Sequence, residues 1–174
     1  MNKNLSLLVT SAMLAALTCI ATMIIKVPTI GTNGYVNIGD TIVLISMWLI
    51  GNPYGALAAG IGSALADLLS GYGSYVPGTL VIKFTMAFVG YIVFKGLKAT
   101  KLPAIVSYIV SSIIAEIIMV LGYFAYESTL LGYGIGAAAS IPSNIVQAVT
   151  CLVLGLALIS VLNKVPFFKT LNVR

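Results

Sequence analysis

Long apolar runs broken by short polar punctuation set the pattern of this chain. The runs cover 5–25, 40–50, 54–70, 79–97, 103–126 and 141–163 and hold few charges. Crossing about 30 Å of hydrocarbon takes about 20 such residues, so the pattern predicts six membrane helices with short loops. Pro28, Pro53, Pro77, Pro103 and Pro142 stand at or beside the run boundaries, where a missing backbone N–H costs least. The second run is the weakest span, because TIVLISMWLI is only about 15 Å long as a helix. It is either a short or re-entrant piece, or half of one kinked span over 40–70 that would leave five crossings.

Composition sharpens this into a class. The 174 residues are 60% hydrophobic and 7% charged, with a mean hydropathy of +1.10, whereas a soluble domain is about one quarter charged. We read residues 1–174 as a single integral membrane domain, multi-pass in the cell membrane. The apolar stretch from Leu5 to Ile25 exceeds the 7–15-residue core of a signal peptide and is expected to be a retained first span. No internal repeat or heptad array is visible.

The net charge of +5 maps onto topology rather than onto nucleic acid, since the bases form no stripe interleaved with aromatics. With six spans and an inside N-terminus, Lys3, Lys95, Lys98, Lys101, Lys164, Lys169 and Arg174 are cytoplasmic, Lys26 is outside and Lys83 lies in the membrane. That agrees with the positive-inside rule. Five spans with an outside N-terminus satisfy the rule equally well. Both layouts put 95–102 and the C-terminus inside and the loops 71–78 and 127–140 outside.

Polar residues inside the runs are the candidate chemistry. Asp67 and Lys83 lie at matching depth, about one turn below the outer surface. Tyr123, Asn144 and Gln147 fall within about two turns of the same surface, so four helices place polar groups in one layer. Buried charges in hydrocarbon pair, face the bundle interior or line a watery cavity. Asp67 and Lys83 are therefore expected to pair across the glycine-rich loop in an outward-opening pocket, or else to serve as a structural clamp, with Lys83 snorkelling. Glu116 lies near the midplane, either protonated or paired with Lys83 or Gln147, as pocket floor or as a structural hydrogen bond. Asn144 and Gln147, three residues apart, share a helix face, as ligand contacts or as glue between helices.

The loops add VPTIGTNGYVNIGD and SGYGSYVPG, which combine glycine with Tyr35, Asn37, Tyr72 and Tyr75. These aromatics suit stacking on a flat ring or an ordinary interfacial belt. Asp40 precedes an apolar helix start and is read as an N-cap, outside the site. Ala56, Gly60 and Ala64 make a small-residue face that predicts a central third helix, and Ala12 and Ala16 make a second such face on the first helix, free for another protein.

An enzyme is not expected. The chain has no histidine, only Cys19 and Cys151, no acidic cluster for a metal, and no G-x-x-x-x-G-K-[ST] loop; metal sites, cofactors and P-loop ATP hydrolysis are correspondingly disfavoured. A membrane binding protein is the better class, and active transport would require partner subunits. The rival readings are a non-transporting assembly factor or a small polar channel, although the inner halves of the spans are mostly apolar.

GYVNIGD, GSALADLLSGY followed by VPGTLVIKF, AEIIMVLGYFAYE and IPSNIVQ, in this order and with the A-x-x-x-A of Ala12 and Ala16, resemble the substrate-binding S components of energy-coupling factor (ECF) vitamin transporters. The resemblance covers nearly the whole chain. It implies an all-α bundle of six transmembrane helices with both termini cytoplasmic, and a vitamin or precursor captured from outside beneath the loops after the first, third and fifth helices. It also implies association with a membrane coupling subunit and two cytoplasmic ATPases, with Ala12 and Ala16 at the coupling subunit, and toppling in the bilayer for delivery. The IKF and GYFAYE stretches resemble the branch of hydroxymethylpyrimidine and pyridoxine carriers, with riboflavin carriers next; the lack of histidine and the single Trp48 disfavour thiamine. A neutral heteroaromatic with hydroxyl groups suits such a pocket. The expected assignment has Lys83 and Asn144 on the ring's polar edge, Tyr35 or Tyr75 stacked on it and Glu116 accepting from an amino or hydroxyl group, with Asn37, Asp67, Tyr123 and Gln147 completing the site.

Overall fold

The computed structural model describes residues 3–165. Six α-helices occur among them: α1 (Lys3–Ile24), α2 (Asp40–Leu49), α3 (Tyr54–Leu69), α4 (Val76–Lys98), α5 (Ala104–Thr129) and α6 (Ile141–Leu162). The six runs of the sequence pattern each become one helix. Helix α4 starts three residues earlier than expected because Pro77 is accommodated in its first turn, where a proline gives up no intrahelical bond. Helices α1, α4, α5 and the stretch Gly134–Leu162 are long and apolar enough to cross a membrane; α2 and α3 are shorter apolar helices.

Helix α2 is the central post. It packs against α1, α3, α4, α5 and α6, and Val43, Leu44, Met47, Trp48 and Leu49 are all buried, as expected of a helix apolar on every side. The kinked-span alternative is excluded: the chain turns back at Gly51, whose φ of 65° suits glycine, and Gly55 at the start of α3 sits against the backbone of Ser46. The small-residue face of α3 does pack closely, with Gly60 against α4, and on another side of the helix Gly62 packs against α1. Its other face, with Leu57, Ile61, Leu65 and Leu68, is exposed. The central position expected of the third helix therefore belongs to the second.

Gly62 permits the α1–α3 approach, since a Cβ there would lie 2.4 Å from the Ala15 carbonyl oxygen, whereas one at Gly96 would meet nothing within 4 Å. Gly62→Val is expected to cost about 1–3 kcal/mol by overpacking, read as a lowered melting temperature in detergent, and Gly96→Ala to leave melting unchanged or slightly raised.

The two ends of the bundle differ. At one end Lys95, Lys98, Lys101 and Lys164 are exposed; Lys169 and Arg174 lie outside the described residues. At the other end stands a short antiparallel hairpin, β1 (Lys26–Pro28) with β2 (Tyr35–Asn37), together with the 70–75 turn and a 3-10 segment, Gly134–Ser140. Helix α3 ends there in a Schellman turn: Gly71, at φ 83°, donates to the Leu68 carbonyl and Tyr72 to that of Asp67, the usual way of satisfying terminal carbonyls. Three contacts stitch this end together: Lys26 Nζ donates to Ser70 Oγ at 3.0 Å, the Asn33 N–H to Tyr133 Oη at 3.2 Å, and Tyr126 Oη to the Ser74 carbonyl at 2.6 Å.

Candidate substrate-binding site

Beneath the hairpin, three helices and β2 converge on one carboxylate. Asp40 opens α2 and is fully buried. Lys83 of α4 donates to its Oδ1, and Gln147 of α6 donates from Nε2 to its Oδ2 at 2.5 Å. The Gln147 Oε1 accepts the Asn37 backbone N–H at 2.6 Å; since that N–H can only donate, the amide orientation is determined. Asn37 in turn accepts the Gly39 N–H on its Oδ1 at 2.8 Å, which forms the tight turn that starts α2. Helix α2 also turns its positive end toward Asp40, a favourable place for a carboxylate.

This arrangement corrects two expectations. Asp40 makes no capping bond; Gly39 occupies the N-cap position, and Asp40, one residue further on, aims its carboxylate inward. Lys83 consequently pairs with Asp40 and not with Asp67. Asp67, held at the α3 terminus by the Schellman turn, instead accepts from Tyr35 Oη at 2.6 Å. Matching depth put Asp67 and Lys83 in one layer, but their helices face them toward different partners.

Around this network lie the remaining residues. The Lys83 ammonium sits 5.2 Å from the centre of the Tyr123 ring, a cation–π distance, and the Tyr123 hydroxyl shares a 3.0 Å hydrogen bond with Thr79. Glu116 is 3% exposed, and neither of its carboxyl oxygens has a hydrogen-bond partner among the described residues, although Asp40 and Lys83 lie within electrostatic range. The pairing of Glu116 with Lys83 or Gln147 does not form, because Asp40 holds both. Asn144, one turn before Gln147 and 5% exposed, likewise makes no hydrogen bond to another described residue.

Closer to the hairpin end the aromatics form their own group. The Tyr35 and Tyr72 rings lie 4.4 Å apart, and Tyr72 meets Tyr75 edge-on at 6.4 Å. Burial, then the hydrogen bond to Asp67, holds the Tyr35 phenol well above its ordinary pKa, so Tyr35 remains a donor. Tyr75 is buried and donates to Glu127 Oε1 at 2.9 Å; its hydroxyl is a fastening, apart from the Asp40 network. A polar recess of about 440 Å³ opens between the hairpin and the 70–75 turn, lined by Pro28, Thr32, Asn33, Gly34, Tyr72 and Ser74.

The lysine-end half of the core is filled. The Trp48 ring lies 5.1 Å from that of Tyr108 and the Phe94 ring 4.9 Å from it, and Trp48 Nε1 donates to Ser111 Oγ at 3.0 Å. This aromatic layer differs from the polar lining that the channel reading needs. Ala12 and Ala16 are exposed on α1.

A family model described as "ECF-type riboflavin transporter, S component" matches residues 2–164. The chain belongs to this family. The S component assignment makes it an integral membrane protein of a transporter and not an enzyme. Its fold matches a solved structure of the S component of a bacterial ECF transporter, at a TM-score of 0.68 and 20% identity over 92% of this chain and 97% of that one. It also matches the S-component for biotin from an ECF-type ABC transporter, at 0.64 and 18% over 99% and 98%. A relative from Pyrococcus woesei, described as an uncharacterized protein in a gap 3′ region, is 37% identical over 145 residues, covering 83% of this S component and 93% of the relative. At those identities the two structures establish the shared fold alone.

Proposed function

We propose that this S component captures a small heteroaromatic vitamin or vitamin precursor at the hairpin end of the bundle, for an ATP-driven ECF-type importer. One observation carries the reading: both carboxyl oxygens of Glu116 are buried with no hydrogen-bond partner among the described residues, within electrostatic range of a network in which Asp40, Lys83 and Gln147 satisfy one another. Leaving a buried polar group unpaired costs about 1–3 kcal/mol, and a ligand that supplies the missing bonds recovers that cost. Glu116 then meets an amino or hydroxyl group, Asn144 and Lys83 take the polar edge of the ring, and Tyr35 and Tyr123 offer aromatic faces.

The family's description puts riboflavin first among compounds to test, ahead of the hydroxymethylpyrimidine and vitamin B6 types that the motifs favour. Mass spectrometry of small molecules released from the purified, heat-denatured protein tests the reading. The expected result is one stoichiometric heteroaromatic compound. Release of none, together with no binding of riboflavin, hydroxymethylpyrimidine or pyridoxine, would reject it.

Under this proposal the hairpin end faces outward, both termini are cytoplasmic, and the exposed Ala12 and Ala16 meet the membrane coupling subunit, which carries the two ATPases. Small residues let helix backbones approach closely within a bilayer. Ala12→Leu with Ala16→Leu is expected to abolish co-purification with the coupling subunit while leaving ligand affinity within about twofold, because both side chains are exposed and share no hydrogen bond with the polar network.

A further inference from the structure

Glu127 is a buried acid that the binding network does not use. It lies in the last turn of α5, 2% exposed, and its two carboxyl oxygens serve different segments. Oε1 accepts from Tyr75 of the 70–75 turn at 2.9 Å, and Oε2 accepts from Ser140, at the end of the 3-10 segment, at 2.6 Å. The third segment, the hairpin, rests on this pair: a Cβ on Gly34 would lie 3.2 Å from both Glu127 Oε1 and Tyr75 Oη. A single carboxylate thus bonds two chain segments distant in sequence and lies against a third. The hairpin covers the Asp40 network, since Asn37 of β2 is bonded to Gln147 and its carbonyl lies 3.6 Å from Cys151 Sγ.

We propose that Glu127 is a positioning residue, a clasp that holds the hairpin, the 70–75 turn and the 3-10 segment as one cover and sets how fast the site opens to the hairpin-side solvent. The inference rests on the binding site proposed above for its consequence, but not for its test. Charge-assisted hydrogen bonds are about twice as strong as neutral ones, and local opening is governed by the few contacts that must break. Removing the clasp therefore acts on the opening equilibrium without dismantling the bundle.

Cys151 provides a native reporter, being fully buried beneath the Asn37 carbonyl. In a Cys19→Ala background, labelling of Cys151 by a charged, membrane-impermeant methanethiosulfonate reagent reads opening. Glu127→Ala is expected to speed labelling by about tenfold or more, the scale of losing hydrogen bonds to a charged group. Tyr75→Phe and Ser140→Ala, each removing one of the two bonds, should give smaller increases, and Glu127→Gln, which retains an acceptor, should fall between Glu127→Ala and the parent. A reporter at the lysine end, Ser107→Cys with both native cysteines replaced by alanine, should be labelled equally with and without Glu127→Ala.

Labelling of Cys151 that is unchanged in Glu127→Ala, or that rises together with that of the lysine-end reporter, would overturn the clasp. Riboflavin provides a separate arm: where the parent binds it, its dissociation rate, read by recovery of flavin fluorescence, should rise in the same order across the variants. A dissociation rate that ignores these substitutions would also overturn the clasp, whereas a parent that does not bind riboflavin counts against the flavin reading alone.

Discussion

Asp40→Ala is expected to destabilise this S component by about 3–5 kcal/mol, the cost of stranding one member of a buried ion pair. Lys83 is 2% exposed and has Asp40 as its ion-pair partner, and Gln147 would lose the acceptor for its Nε2. Lys83→Met alone should cost less, because Asp40 retains Gln147 and the positive end of α2. The double variant Asp40→Leu, Lys83→Met should recover most of the loss, since a buried pair replaced by apolar groups of similar size is often neutral or stabilising. Chemical or thermal unfolding in detergent measures all three. If the network only held the helices together, the double variant would keep ligand binding; the account expects it to fold and to bind no ligand.

Glu116→Leu is expected to move stability and binding in opposite directions. Both carboxyl oxygens are buried without a hydrogen-bond partner among the described residues, so their removal should stabilise the unliganded fold by about 1–3 kcal/mol. The same change should weaken ligand affinity by about tenfold to a hundredfold, as one or two hydrogen bonds are lost. Glu116→Gln, which keeps the shape and an acceptor, should lose less affinity. Such opposition marks groups kept for function at the expense of stability; a variant that loses both would make Glu116 a structural residue. Melting temperature and a binding titration on the same preparation decide between these outcomes.

The helical plan was legible because spans and prolines report length and boundaries directly, and each of the six runs became one helix within a few residues at each end. What hydropathy does not give is the direction in which a helix turns its polar residue. The Asp67–Lys83 expectation failed on this point: the terminal turn of α3 points Asp67 at Tyr35. Asp40 was missed because an acid at a helix start is ordinarily a cap. The signal was present in the residues that follow it, where TIVLISMWL is apolar on every face, so that the helix and the acid at its head are buried together. Glu127 was missed because the fifth run was ended at 126, one residue short of it, while the helix continues to Thr129. The hairpin had no signal, its strands being three residues each, too short for alternation to register.

Lys83, Gln147 and Tyr123 stand out by residue type and expected depth and Asn37 by its glycine-rich loop; Lys83 and Gln147 bind Asp40, Asn37 reaches it through Gln147, and Tyr123 lies against Lys83. Tyr75 stands apart at Glu127, and Tyr35 divides its contacts between Asp67 and Tyr72. The proposed site is therefore smaller and more polar than an aromatic cup. Its least engaged side chains, Asn144 and Glu116, are the ones an incoming ring compound can claim without breaking an existing bond.

Asn144 offers the most direct measurement, because no hydrogen bond ties its side chain to another described residue. Titration of the compound recovered from the purified protein into Asn144→Ala, alongside the parent, isolates binding from folding. The account expects an unchanged melting temperature and affinity weakened by about tenfold or more, the loss of a buried hydrogen bond to ligand. Equal affinity in the two proteins would contradict the placement of the site beneath the hairpin.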